Sequence, residues 1–312
     1  MSKDRLIKLY VHSCNEDLAY RLDEKKVDYI VVGIKDFSCR FNNYFDLETL
    51  KRTKQNLKNS KLCVFLNDLY SEFKLDDLTQ LLIELDKINI NLLMFSDFAI
   101  PQIIYEKNLN INLHYNPETL VTSYGQFEIY LKNNIKKVNA ATELTLSELK
   151  KMCLNKQSMF ISTKGFGLGF IMHSRWPMVS NYLEYSKANK SKFNSIDYLL
   201  IQEEERQVPN IIYEDVYGTH MFTGYYLCCM KQINELKEAK LDAIIIDSLF
   251  VHDDDLTLDR IVDSFIEAID NNLTQEELDK KYEFISSICE LQISPGFFGN
   301  HSDVLHTLKK EG

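Results

Sequence analysis

Residues 202 to 229 read QEEERQVPNIIYEDVYGTHMFTGYYLCC and gather carboxylates, an arginine, a histidine and two thiols into one short stretch. Glu204, Glu205 and Arg206 follow the apolar run YLLI, and Glu214, Asp215 and His220 follow IIY. Two extended segments ending in this way would aim opposite charges at a common mouth, where they fix one another and leave donors and acceptors for a polar ligand. The same charges would serve equally as an ion-pair network tying a loop down. A thiolate at Cys228 activated by His220 would be a nucleophile. Set between Leu227 and Met230, however, the Cys228 and Cys229 pair reads as core packing. The catalytic candidates are therefore Glu204, Glu205, Glu214, His220 and Cys228.

Other patterns carry less chemistry. GFGLG at 165 to 169 has neither the GxGxxG spacing nor the Lys-Ser/Thr of a phosphate-cradling loop, so nucleotide binding is not expected there. His12 and His114 lack the close His/Cys/Asp companions that a metal ion needs, and no metal is expected. There is no HExxH helix or Ser/His/Asp signature to support peptide hydrolysis. Lys51, Arg52, Lys54, Lys58 and Lys61 form one basic cluster and Lys187, Lys190 and Lys192 another; each is a solvated face or a local RNA contact.

These residues must be positioned by a scaffold, and the scaffold is legible as alternation. Apolar runs stand at 6 to 12, 29 to 34, 61 to 66, 90 to 95, 110 to 115, 137 to 141, 158 to 163 and 243 to 247, each followed by a polar, helix-compatible stretch. Eight such runs predict an α/β fold, a (β/α)8 TIM-like barrel, rather than an open sheet. Asp76 and Asp77 open a helix with Leu78, Leu81, Leu82 and Leu85 on one face. Thr145 with Glu148, and Thr274 with Glu277, are capping boxes. Residues 164 to 228 hold too much for one crossover and predict an elaborated loop region. The expected organisation is one domain over 1 to 312, with the barrel over about 5 to 250 and C-terminal capping helices over about 257 to 310. Barrel active sites lie where strands end, which selects His12, Lys35, Asn67, Asp97, His114, Glu143 and Asp247 for inspection.

Composition limits the partners. With 36 Lys+Arg against 46 Asp+Glu the formal charge is −10, so the surface as a whole repels phosphate backbones and DNA binding is not expected. No window approaches the roughly 18 apolar residues of a membrane span, and the first residues lack a signal-like apolar stretch; a cytoplasmic protein is expected. Seven scattered cysteines without a CxxC pair suit a reduced compartment.

The stretch 202 to 247 resembles the signature of the U32 peptidase family. Glu204, Glu205, Arg206, Glu214, Asp215, Gly218, Thr219, Leu227 and Cys228 stand at the family's EE-R, ED-x-x-GT and LC positions. GLGFIMHSRWPMVSNY (167 to 182) and LQISPGFF (291 to 298) are similar to two further family stretches. The resemblance implies a collagenase-like peptidase by name. It equally implies the RNA-modifying branches, which include prephenate-dependent hydroxylases of the tRNA wobble uridine that hold an iron-sulfur cluster on cysteines. This chain departs from them. No cysteine lies between Cys153 and Cys228, where the other cluster ligands belong, so the cluster is expected to be absent. The family's Arg-Glu after strand six reads Thr142-Glu143, and the acidic-Gly-Arg ending its last strand reads Asp247-Ser248-Leu249.

The chain thus looks like the shorter, cluster-less paralogue of a pair. The implied function is wobble-uridine 5-hydroxylation, as partner of the larger paralogue or as a reduced-site enzyme. The alternatives are a U32 peptidase or a non-catalytic heteromeric subunit. On the first reading Arg175, Arg206, Asn67, His114 and Glu143 would bind substrate, prephenate is a candidate small ligand, and the basic patches would meet tRNA.

Overall fold

The computed structural model describes residues 5 to 187, 198 to 202, 204, 208 to 251 and 256 to 299. All eight apolar runs are strands of one closed parallel barrel: β1 (Lys8–His12), β2 (Tyr29–Val32), β3 (Lys61–Leu66), β4 (Leu92–Phe95), β5 (Leu113–Tyr115), β6 (Lys137–Asn139), the first part of β7 (Phe160–Ser174) and β11 (Ala243–Ile246). Consecutive strands pair in order, and β11 closes the ring by pairing with both β1 and β7. Alternation sets the two faces. Leu9, Val11, Ile30, Val32, Val64 and Leu93 face the surrounding helices, while Tyr10, Tyr29, Val31, Cys63, Phe65, Met94 and Ile245 fill the interior.

The helices between strands are α1 (Glu16–Glu24), α2 (Leu47–Asn56), α3 (Leu75–Ile88), α4 (Ala99–Glu106), α5 (Phe127–Lys132), α6 (Leu146–Leu154) and, in the later connections, α7 (Met178–Tyr185) and α8 (Ile233–Glu238). Leu78, Leu81, Leu82 and Leu85 are the buried residues of α3, and both capping boxes form, at Thr145 before α6 and at Thr274 before α10 (Gln275–Ile288). α9 (Thr257–Asp270) is the last barrel helix rather than a cap. It lies against α1, with Arg21 paired to Asp259 and Lys25 to Asp263.

The interval predicted as an elaborated loop is a second layer of sheet. β7 runs on past the barrel for a total of 15 residues, and its outer half pairs antiparallel with β10 (Gly218–Cys228). β10 in turn pairs with β9 (Asn210–Asp215), and β9 with β8 (Leu199–Ile201). The GFGLG glycines make this continuation possible. A Cβ on Gly165 would lie 2.1 Å from Ile244 Cγ2, and one on Gly167, at φ +125, 2.6 Å from Asp247 Cβ. Only hydrogen fits where β7 crosses β11, and the register shifts there between Ile245 and Ile246. After α10 the chain returns as β12 (Ile293–Ser294) to pair with β10. The predicted helix end at about 310 lies outside the described residues.

Candidate functional site at the barrel mouth

Residues that continue the inward alternation at the C-terminal ends of the strands meet in one pocket. His12 closes β1, Asn116 follows β5, Asn139 ends β6, Lys164 lies on β7 and Asp247 follows β11, with Phe65 and Phe170 as walls. The cavity measures about 10 Å³, room for about one water molecule. At its floor Lys164 Nζ donates to Asp247 Oδ2 at 2.8 Å and to the Leu168 carbonyl at 2.7 Å. Burial alone would raise the Asp247 carboxyl; Lys164 and His12 outweigh it and hold the group well below the usual carboxylate range. His12 stacks on Phe41 at 4.9 Å with its Nδ1 3.4 Å from Asp247 Oδ1. Among the described residues, Nε2 of His12 makes no hydrogen bond.

A second buried pair closes the mouth. Arg40, from the loop after β2, bonds Glu118 and donates to the Asn67 carbonyl at 3.0 Å, and its guanidinium lies 4.8 Å from the Phe170 ring centroid. Arg40 and Glu118 sit at φ 64 and φ 65, a left-handed backbone that costs non-glycine residues energy. Their strained loops place opposite charges over the pocket. Beyond Arg40 the network continues into the added sheet. His173 Nδ1 is 3.3 Å from Arg40 Nη1, its ring lies edge to face with His220 at 4.7 Å, and His220 Nε2 meets Asp215 Oδ1 at 3.0 Å. Burial first, then His220 and Arg40, push the His173 imidazole down to about 4, so it is neutral near pH 7.

Several residues selected from sequence lie elsewhere. Asn67 is buried but supports the mouth from behind, its Oδ1 accepting the Cys39 amide at 2.9 Å while its carbonyl receives Arg40. His114 is one layer down, bonded to Ser162 Oγ at 3.0 Å, and Ser162 in turn donates to Asn139. Burial pushes its imidazole down to about 3. Glu143 and Lys35 are exposed, and Asp97 holds the Tyr70 and Ala99 amides. Arg175 is exposed on the second sheet layer and reaches the Leu69 carbonyl.

Within the signature stretch, Glu204 is exposed, and Glu205 and Arg206 lie outside the described residues. Glu214 accepts the Val179 and Ser180 amides at 2.9 and 3.2 Å and the Ser180 hydroxyl, so its carboxylate caps α7. His220 is fully buried under Tyr213. Cys228 is buried, and burial pushes its thiol up to about 12. A thiol that stays protonated and unexposed is no nucleophile.

Cys228 and Cys229 are both embedded in the core, and among the described residues no three His, Cys, Asp or Glu side chains converge as ligands. The first basic cluster runs along α2 to Lys61, at the start of β3 and away from the mouth, and Arg52 is paired with Glu16. Lys190 and Lys192 of the second cluster lie outside the described residues.

Sequence reasoning passed over Arg40, Asn116, Glu118, Asn139 and Lys164. Lys164 directly follows the seventh run and Asn116 the fifth, so strand-end position was a usable signal for both. Arg40 and Glu118 come from irregular loops that carry no periodic pattern.

The architecture defines a TIM-type barrel with a polar pocket at the C-terminal ends of its strands, elaborated by an antiparallel sheet inserted between the last two barrel strands. The model of peptidase family U32 matches residues 13–308, and the chain belongs to that family. It is 24% identical over 282 residues, 86% of this chain and 89% of the other, to the tRNA hydroxylation protein P2 of Bacillus subtilis (strain 168). Among solved structures it is similar to a U32 peptidase at 11% identity, covering 79% of this chain and 94% of that one with a TM-score of 0.49. A glycerophosphodiester phosphodiesterase from Parabacteroides distasonis is similar at 9% identity, covering 79% and 95%, with a TM-score of 0.46.

Proposed function

We propose that this chain acts in tRNA modification, in 5-hydroxylation of the wobble uridine, alongside a larger cluster-bearing paralogue in the cytoplasm. What carries the reading is the correspondence with the tRNA hydroxylation protein, which extends over most of both chains instead of one shared motif. The geometry agrees with a polar small ligand rather than with peptide hydrolysis. The pocket offers His12, Asn116, Asn139 and Lys164, whereas Glu214 is spent on capping α7 and Cys228 is buried as a thiol. Lys164 and Arg40 are each already paired with a carboxylate and the cavity holds about one water, so an acid such as prephenate would have to open the mouth by displacing Glu118 from Arg40 and then compete for Lys164. A partner supplying the cluster accounts for the missing thiolates.

The test is nucleoside mass spectrometry of tRNA from cells lacking the gene. The 5-hydroxyuridine-derived nucleosides should fall, and return with the wild-type gene but not with Lys164→Met or His12→Ala. Unchanged nucleosides, in a strain without a redundant pathway, would remove the proposal.

A further inference from the structure

The family signature is spent on holding one short segment that has no fully buried residue. Glu214 accepts two amides and a hydroxyl from Val179 and Ser180. Thr219 Oγ1 donates to the Trp176 carbonyl at 2.8 Å and receives the Met178 amide at 2.9 Å. Gly218, at φ +124, brings its backbone so close to Ser174 and Arg175 that a Cβ would stand 2.1 Å from the Ser174 carbonyl oxygen. Three signature residues therefore fix Ser174 to Ser180 from one side. The helix they launch, α7, has no buried residue. Trp176 is 73% exposed, Tyr182 67% and Tyr185 87%. Tyr182 and Tyr185 are three positions apart, on one face of the helix. Aromatics shown to water without a core to join are a cost, and a clamp of buried hydrogen bonds that preserves the display is a structural investment in a ligand.

The chemistry of the display selects among ligands. The exposed groups are mostly indole and phenol rings, with Met178 45% exposed beside them, interspersed with Ser180 and Asn181 and flanked by Arg175 and Lys187. Residues 175 to 187 contain two basic residues and one acidic residue, within a chain of formal charge −10. With Glu214 bound against Val179 and Ser180 the charges around the segment balance, and what remains is flat rings with a cation at either end, which suits unpaired bases and their phosphates. We propose that Trp176, Tyr182 and Tyr185 are a stacking platform for the unpaired bases of an RNA loop, with Arg175 and Lys187 on its phosphates. The inference rests on the tRNA reading and adds the surface by which the loop is held.

The chain has a single tryptophan, so its fluorescence reports this surface alone. The full-length protein is titrated with a hairpin RNA carrying an unpaired loop, with a fully paired duplex of the same stem, and with a basic protein as control. Filter retention measures total RNA binding in parallel. Saturable quenching by the looped hairpin only is expected, weakened on the order of tenfold by Tyr182→Ala or Tyr185→Ala. Both variants should keep a melting temperature close to the wild type's, because both rings are largely exposed. Retention of RNA with Trp176 fluorescence unchanged, or equal affinity in the tyrosine variants, overturns the platform while leaving the tRNA reading intact. Quenching by the basic protein but not by RNA assigns the surface to a protein partner and overturns it as well. Loss of the tRNA reading itself would show separately, as normal wobble nucleosides in the deletion strain.

Discussion

Lys164 and Asp247 are a buried pair at the floor of the mouth, at 2.8 Å and with side chains under a tenth exposed. Each is tolerable only because of the other, since an unpaired charge in such a place is far more costly than the pair is stabilising. Lys164→Met should therefore lower unfolding free energy by about 3–5 kcal/mol, and Asp247→Asn by a similar amount. Replacing both should cost clearly less than the sum, which denaturant titration of the four proteins in a double-mutant cycle would measure. Additive losses would mean that the two charges do not depend on each other. Asp247 was visible from sequence as the residue ending the last strand. Lys164 stood in the equivalent place on β7 but fell at the start of the interval 164 to 228 expected to be an elaborated loop, because nothing in a sequence announces that a strand continues through GFGLG.

At the scale of elements, hydrophobic alternation located every barrel strand, because each is apolar enough to be buried on both faces and is bounded by polar turns. It failed for the second sheet layer. β8, β9 and the outer part of β7 are partly exposed, and their mixed runs of aromatics, charges and glycines have no clean period. The signature residues were legible as a motif but not as a clamp, since Glu214 works on a helix 35 residues earlier. Two substitutions separate these layers. Gly167→Ala puts a Cβ against Asp247 at a backbone angle that alanine disfavours, and should cost at least about 2 kcal/mol or prevent soluble expression. Glu214→Gln removes only the charge of a helix cap and should cost about 1 kcal/mol. It should also alter the Trp176 emission spectrum. If the glutamine variant instead lost the whole fold, the added sheet would be integral to the barrel's stability.

For the whole molecule, pH sets two opposing effects. As pH falls toward the sequence pI of about 5.3, the net charge of −10 is neutralised and self-repulsion weakens, which favours the folded state. Against this stand two imidazoles held as neutral rings, the buried His114 pushed down to about 3 and the half-buried His173 to about 4, from an ordinary value of 6.5. An imidazole whose folded value is depressed contributes stability that is complete above its unfolded value. That stability is lost as pH falls through 6.5 toward the folded value, since the unfolded chain then binds the proton that the native state refuses. The loss window runs from about pH 6.5 down to about pH 4 for His173 and further, to about pH 3, for His114. His114→Gln keeps a group able to bond Ser162 but cannot titrate, so comparing it with wild type cancels the global charge effect. The wild type's advantage in melting temperature should shrink by several degrees between about pH 7.5 and pH 5. Parallel melting curves for the two proteins across that range would mean that His114 takes up its proton inside the barrel, and that the layer beneath the pocket is wetter than its complete burial implies.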